Sequence, residues 1–350
     1  AEAEPAQVDA AALEKRLARM VRGWADELRE ALIDAVGEER GLALWRGTGR
    51  GLPALYAERF GPEQAVADLL RLEALAGDPQ AISIAFYTPV GGGASVALRL
   101  KLGRPGGPIA LSDVLPMIEN LGFRVIDEQP YAIEDAEAGG IRAWLHDFGL
   151  VDQQGGAVDP ARLGPLLEDT LARVWRGEVE NDRFNALVLR AGVTADEVVI
   201  LRALYRYMRQ IGLPFAQNTV EQTLARHGEL ARLIVQLFHA RLDPARHETA
   251  EASAAAEAEA DRLVEAFAQG LDAITNVDED RILSRYRDVV LAVLRTNAYL
   301  READGGRRPV LAIKLDGQSL PDLPPPRPFR EIFVYSPRVE AVHLRGGRVA

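Results

Sequence analysis

Apolar residues recur every three or four positions at Leu13, Leu17, Met20, Trp24, Leu28, Leu32 and Val36, which predicts one long amphipathic helix closed by Gly37. Such a stripe predicts packing against a neighbouring helix. Two shorter helices are expected at 52–60 and 62–76, the second with Pro62 in its first turn, before Gly77-Asp78-Pro79 breaks the chain. The period then changes. Residues 82–87 alternate, and so do 95–102, where Leu98, Leu100 and Leu102 face away from Arg99 and Lys101, the pattern of a half-buried strand. Gly103 to Pro108 (GRPGGP) predicts a tight loop, because proline lacks a donor and glycine favours turns. Ser112 or Asp113 can cap a short helix carrying Val114, Leu115, Ile118 and Leu121 and ending at Gly122. Strands at 123–126 and 141–148, joined through an acidic turn at 134–140, complete a strand, helix, strand, strand order.

Beyond Gly155-Gly156 the pattern is almost wholly helical, with stripes at 163–175, 182–191, 194–211, 218–241, 250–271 and 278–300. Thr194 and Glu197 have the spacing of a capping box. Tyr205, Tyr207 and Met208 fall in an apolar stripe and are expected in the core. Gly305 to Pro309 ends the helical part; strands are expected at 310–315, 330–335 and 339–344, with the stiff linker PDLPPPRP at 321–328. The predicted class is α+β, mostly α. The expected division is a helical segment at 1–78, an α+β domain at 79–176, a helical domain at 177–305 and the start of a β-containing domain at 306–350.

Composition narrows the classes of function. The 350 residues are 48% hydrophobic and 27% charged with a net charge of -11, and only Lys15, Lys101 and Lys314 are lysines. An acidic chain whose cations are arginines suits salt-bridged helix surfaces and argues against nucleic acid as a partner. The absence of cysteine removes disulfides, thiolate metal sites and a cysteine nucleophile, and fits a reducing cytoplasm. No apolar run approaches the ~20 residues of a membrane span, so no membrane partner is expected. The chain starts at Ala1 and ends just past a Gly-Gly turn between strand-like runs, which reads as a partial segment of something longer.

Chemistry of the chain's own is sparse. GRPGGP is not GxGxxG, and Gly91-Gly92-Gly93 is more simply a hairpin turn, so neither cradles a dinucleotide phosphate. The five histidines (His146, His227, His239, His247 and His343) lack metal-ligand spacing and are expected as solvated surface groups, with no metal site. His146 and Asp147 are strand neighbours that point to opposite faces. The polar phrases at 181–185 and 217–219 are explained by helix capping at least as well as by ligand binding.

The strand, helix, strand, strand order is the front of a ferredoxin-like βαββαβ unit and resembles an ACT domain, a small module with which amino-acid enzymes sense amino acids; 163–175 would supply its second helix. In such folds an effector sits near the loop after the first strand, where a helix N-terminus and free amides meet a carboxylate. Arg104, Gly106, Gly107 and Ser112 could bind a small amino-acid effector in this way; a structural turn against a neighbouring domain is the simpler reading.

The phrases LRLKLGRPGGPIALSDVLPMIENLGFRVIDEQPY, WLHDFGL, NDRFNALVLRAGV, LRALYRYMRQIG, FAQNTVEQTLARH, VLRTNAY and PFREIFVYSPRVEAVHLRGGRVA, in this order, resemble the large bacterial NAD-dependent glutamate dehydrogenases from about Val8 onward. The resemblance implies an oxidoreductase that converts L-glutamate to 2-oxoglutarate and ammonia with NAD as cofactor, and makes 306–350 the start of its catalytic domain. The family's Gly-Gly-Leu-Arg substrate phrase, catalytic lysine and dinucleotide fingerprint match no position here, so no catalytic or cofactor-binding residue is carried over. The segment is then expected to be inactive alone and to serve regulation or assembly of a homo-oligomer. The rival expectations are an amino-acid-binding module and a helical oligomerisation scaffold using the Leu13 to Val36 stripe.

Overall fold

The computed structural model describes residues 23–75, 77–78, 80–89, 98–303, 305–320, 323 and 325–347. The first part of the expected Leu13 helix, the Gly91 to Gly93 turn and the extreme C-terminus lie outside the described residues. Two compact units form, one from residues up to Val114 together with Val125–Leu150, the other from Leu115–Arg124 and Val151 onward.

In the first unit, α1 (Trp24–Val36) turns at Gly37, whose φ of 87° suits glycine, directly into α2 (Glu38–Gly47). The two helices touch so closely that a Cβ on Gly41 would lie 2.7 Å from the Ile33 Cα. The described part of the long stripe is consumed inside the unit. Leu28 and Leu32 share one core with Tyr56 and Phe60 around α3 (Ala54–Arg59), Leu69 and Leu72 of α4 (Pro62–Ala74), and Tyr131, Ile133 and Leu145 of the sheet.

That sheet contains β1 (Ser83–Tyr87), β2 (Leu98–Pro105), β3 (Phe123–Glu134) and β4 (Ile141–Asp152) in the order β1-β2-β4-β3. Antiparallel pairing sets Ser83 opposite Gly103 and Leu98 opposite Leu150. The expected loop at Gly103 begins late, because β2 continues through Arg104 and Pro105, paired with Trp144 and Ala143. Pro105 is tolerated since the pairing of β1 with β2 stops at Ser83 opposite Gly103, so no partner on that side asks for its missing N–H. The helix α5 (Leu111–Asn120) follows. Amides of Asp113 and Val114 donate to the Ala110 carbonyl, so Ser112 and Asp113 sit in the first turn rather than at the cap.

β2 is also not half-buried. Its polar face is covered, with Arg99 and Lys101 buried like Leu98, because Asp68 of α4 partners Lys101 while Asp127 of β3 and Asp147 of β4 partner Arg99. Lys101 Nζ lies 3.4 Å from the Phe60 ring centroid and is paired with Asp68, which also accepts from the Tyr56 hydroxyl at 2.6 Å. Arg99 donates to Asp147 at 2.9 Å and to Asp127 at 2.7 Å.

In the second unit, α6 (Pro160–Trp175) is capped by Asp159, which accepts from the Ala161 amide at 3.0 Å, and buries Leu163, Leu167, Leu171 and Val174. A 3-10 turn at Arg183–Ala186 leads into α7 (Leu187–Ala191) and α8 (Ala195–Gln210). The capping box on α8 is present: the Thr194 amide donates to Glu197 at 2.7 Å, and the Glu197 amide to the Thr194 hydroxyl at 3.3 Å. Tyr205, Tyr207 and Met208 are core residues, as their stripe predicts.

Two expected helices differ. Residues 218–241 form α9 (Gln217–Arg226) and α10 (Gly228–Leu242), broken at His227, because Gly228 packs onto the Arg190 carbonyl where any Cβ would collide. After α11 (Ala250–Leu271), α12 (Val277–Ala292) stops eight residues before the expected Leu300, since the next residues pair as strand β5 (Val293–Thr296) with β6 (Leu311–Leu315). The Asn297 side chain then fixes the crossing, accepting from the Ala312 amide at 2.7 Å and donating to the Val310 carbonyl at 2.9 Å. With β7 (Arg330–Ser336) and β8 (Val339–Arg345) these strands make a sheet in the order β5-β6-β7-β8, whose neighbours pair antiparallel and whose inner side chains include Ile313, Leu315, Phe333 and Tyr335. The molecule is α+β and mostly helical.

Candidate functional site

The loop that follows β2 is built from glycine and sheet register. Arg104 stands opposite Trp144 as the last-but-one residue of β2, half-buried, so its backbone belongs to the sheet. Gly106 has a φ of 77°, which a residue with a Cβ rarely adopts, and its amide donates to the Arg142 carbonyl at 2.9 Å. One of the amides expected for a ligand carboxylate is therefore already committed. Gly107 is exposed, and the Ser112 hydroxyl donates to Asp113 at 3.2 Å. The four residues follow one another around the end of β2 and the first turn of α5.

Beside this loop, however, lies a cavity of about 200 Å³ that the chain pattern did not reveal. Its wall is apolar, from Leu44 of α2, Leu69 and Leu72 of α4, and Pro105 at the end of β2. Two charges of opposite sign border it, Glu73 and Arg142. Glu73 accepts from Arg40 Nε at 3.1 Å, and Arg142 donates to Asp135 at 3.0 Å. Both ion pairs are solvent-exposed, the class that contributes little to stability, so both partners can be exchanged at low cost. The Asp135 carboxyl is held below the usual carboxylate range by the amides of Ala138 and Glu137 and by Arg142. A volume of this size with a guanidinium, a carboxylate and an apolar wall has the complement of a free amino acid: carboxylate to Arg142, ammonium to Glu73, side chain to the leucines. Sequence reasoning missed Arg142 and Glu73 because they are brought to Pro105 by strand pairing and helix packing, which no local spacing encodes.

Four of the five histidines are partnered rather than solvated, because each meets an acceptor or donor elsewhere in the chain, whereas His343 is exposed on β8 as expected. Buried His146 accepts from the Ile109 amide at 3.1 Å through Nε2, leaving Nδ1 2.8 Å from Glu128. His239 bridges Tyr299 and Glu197, each at 2.9 Å, and His227 meets Glu279 at 2.8 Å. Among the described residues no group of three His, Cys, Asp or Glu could hold a metal ion. No helix among them is long and apolar enough to cross a membrane.

The polar phrases at 181–185 and 217–219 do more than cap. Fully buried Arg202 donates to both carboxylate oxygens of Asp182, at 2.8 and 2.7 Å, and to Asn185 at 2.9 Å, while Gln217 donates to Asp182 at 3.2 Å. Tyr335 of β7 reaches the same cluster through Glu180 at 2.6 Å. This is a structural hub that ties β7 to the helices around it.

Four consecutive stretches match models of glutamate dehydrogenase segments: helical motif 2 at residues 31–75, the ACT3 domain at 81–163, helical motif 3 at 179–244 and the bacterial NAD-glutamate dehydrogenase catalytic domain at 266–350. The chain belongs to the bacterial NAD-specific glutamate dehydrogenase family. The NAD-specific glutamate dehydrogenase of Pseudomonas aeruginosa is 40% identical over 98% of this chain and 21% of the relative. That of Halomonas elongata is 38% identical over 99% of this chain and 21% of the relative, and that of Mycobacterium tuberculosis 34% identical over 95% and 20%. The chain therefore spans about a fifth of the length of the relatives it matches.

Proposed function

We propose that the chain is the regulatory and scaffolding portion of an NAD-dependent glutamate dehydrogenase, which oxidises L-glutamate with NAD and water to 2-oxoglutarate, ammonia and NADH in the cytoplasm. The observation that carries this reading is the order of the four family segments along one chain, with relatives at 34–40% identity across nearly all of it. The domain limits proposed remain 1–78, 79–176, 177–305 and 306–350, and NAD binds elsewhere in the parent. Hydride transfer needs a lysine or other acid–base group and a dinucleotide cradle, and no motif of this sequence supplies them. The isolated chain is accordingly expected to form no NADH from L-glutamate and NAD; measurable turnover, followed by NADH absorbance, would overturn this assignment of roles.

The second reading, an amino-acid-binding ACT-like module, draws on two observations. In the first sheet, β2, β3 and β4 stand in the order 1-3-2 of a ferredoxin-like unit, and β1 occupies the edge that the unit's last strand would take. The cavity bordered by Arg142 and Glu73 offers a place for a free amino acid next to the Arg104 to Ser112 loop. Calorimetric titration with a panel of amino acids is expected to give binding that Arg142→Ala and Glu73→Gln weaken at least tenfold and that Arg104→Ala also reduces. Equal binding in wild type and Arg142→Ala would remove the cavity as the effector site. Self-association of the parent into a homo-oligomer is part of the same proposal, but Leu28 and Leu32 are spent inside the first unit and are not available to it.

A further inference from the structure

Five arginines of the second unit line a cavity of about 560 Å³ that neither the resemblance nor the functional reading uses. Arg173 and Arg176 reach it from the end of α6, Arg307 and Arg308 from the approach to β6, and Arg338 from the turn between β7 and β8; Glu178 is the one carboxylate among its lining residues. The nearby acids do not balance this charge. Arg173 and Arg307 share Asp196, at 2.9 and 3.2 Å, Arg173 also lies 3.8 Å from Asp169 and 3.7 Å from Glu178, Arg176 is held by the same Glu178 at 2.6 Å, and Arg308 lies 3.6 Å from Glu302. Five guanidinium groups thus face four carboxylates, one of which, Asp196, is also shared with Arg301, in a chain whose net charge is -11.

Two details point to an occupant rather than to a structural salt network. Arg307 Nε is buried and has no hydrogen-bond acceptor, although Asp196 is near it, so a donor is left unsatisfied at the cavity wall. The Arg338 guanidinium forms no ion pair among the described residues, and it sits on a tight turn whose backbone amides donate to the Ser336 hydroxyl. The lining also has an apolar part, from Val310, Leu311, Pro337 and Val339. Fixed guanidinium forks match phosphate oxygens in pairs, and low-dielectric walls of one sign focus the field on an anion. The volume lies within the range of small-molecule sites.

We propose that this cavity binds a small organic phosphate, its phosphate held by Arg307, Arg308 and Arg338 and its apolar body laid on the Val310 to Pro337 wall. The site takes a different chemical class from the amino-acid cavity, belongs to the other unit, and does not depend on the amino-acid reading. Phenyl phosphate serves as the probe, titrated calorimetrically into the whole parent protein that carries this chain, with inorganic phosphate and phenol as separate arms. Phenyl phosphate is expected to bind at least tenfold more tightly than either arm alone, and Arg338→Glu to weaken it at least tenfold with the thermal midpoint unchanged. Arg308→Gln is the second variant, on another segment, and is expected to weaken binding severalfold. Absence of heat with phenyl phosphate, or affinity unchanged in both variants, overturns the site; inorganic phosphate binding as tightly as phenyl phosphate overturns its assignment to an organic ligand.

Discussion

Lys101 is a charged residue that its sequence pattern sends to solvent and its surroundings send to the core. Its ammonium group sits against Phe60 with Asp68 as counter-ion, and burial pulls its pKa below the usual lysine value while Asp68 opposes that shift. Breaking one partner of a buried pair leaves the other charge unpaired, at about 3–5 kcal/mol. Asp68→Asn is therefore expected to lose several kcal/mol in urea unfolding, and the double variant Lys101→Met with Asp68→Leu to recover most of it. Glu197 supplies a pH test. Burial alone would raise its carboxyl, but hydrogen bonds from His239 and from the Thr194 amide and hydroxyl outweigh that and hold it below the usual range. A depressed folded pKa adds stability above the unfolded value of about 4.3, and that stability is lost as pH falls through the lower folded value. Glu197→Gln is expected to cost about 1 kcal/mol at pH 7 through the weakened capping box, with the gap to wild type closing under acid. A gap that stays constant down to the acid transition would show that the carboxylate charge is not what matters.

At the scale of elements, two glycines in or beside helices separate packing from propensity. Gly228 opens α10 against the Arg190 carbonyl, so Gly228→Ala must push two helices apart and is expected to destabilise by about 1–3 kcal/mol. Gly164 lies inside α6 with nothing within 4 Å of a Cβ, and Gly164→Ala is expected to stabilise by about 0.5–1 kcal/mol. Thermal unfolding of the two variants should move in opposite directions. The same contrast explains which elements could be read from the chain. α6, α8 and α11 carry their own caps and stripes, Asp159, Thr194 with Glu197, and Thr249, and their positions follow from local spacing. The break at His227 and the end of α12 at Ala292 follow from partners elsewhere, Arg190 in one case and the β6 strand in the other. β2 ran past its expected end because the absence of β1 beside Pro105 removes the usual penalty. α2 escaped notice because only one glycine with a positive φ separates it from α1.

For the whole molecule, long phrases in a fixed order were enough to identify the family, and they stayed in the order that the family segments require. The candidate site was only half legible. The loop at Arg104 to Ser112 could be found from its glycines, whereas Arg142 and Glu73 lie 38 and 31 residues from Arg104 and meet beside Pro105 only after folding. Arg142 is exposed and its pair with Asp135 is of the solvent-screened class that adds little to stability, so its replacement should spare the fold. The measurement that bears most directly on the proposed role is L-glutamate-dependent NADH formation by the whole parent dehydrogenase to which this chain is proposed to belong, wild type and Arg142→Ala, with and without a panel of amino acids. Both proteins are predicted to reduce NAD at similar basal rates, and the wild type alone to change its rate when the effector amino acid is added. Absence of glutamate-dependent NADH formation in the wild type, or the same amino-acid response in both proteins, would contradict the account.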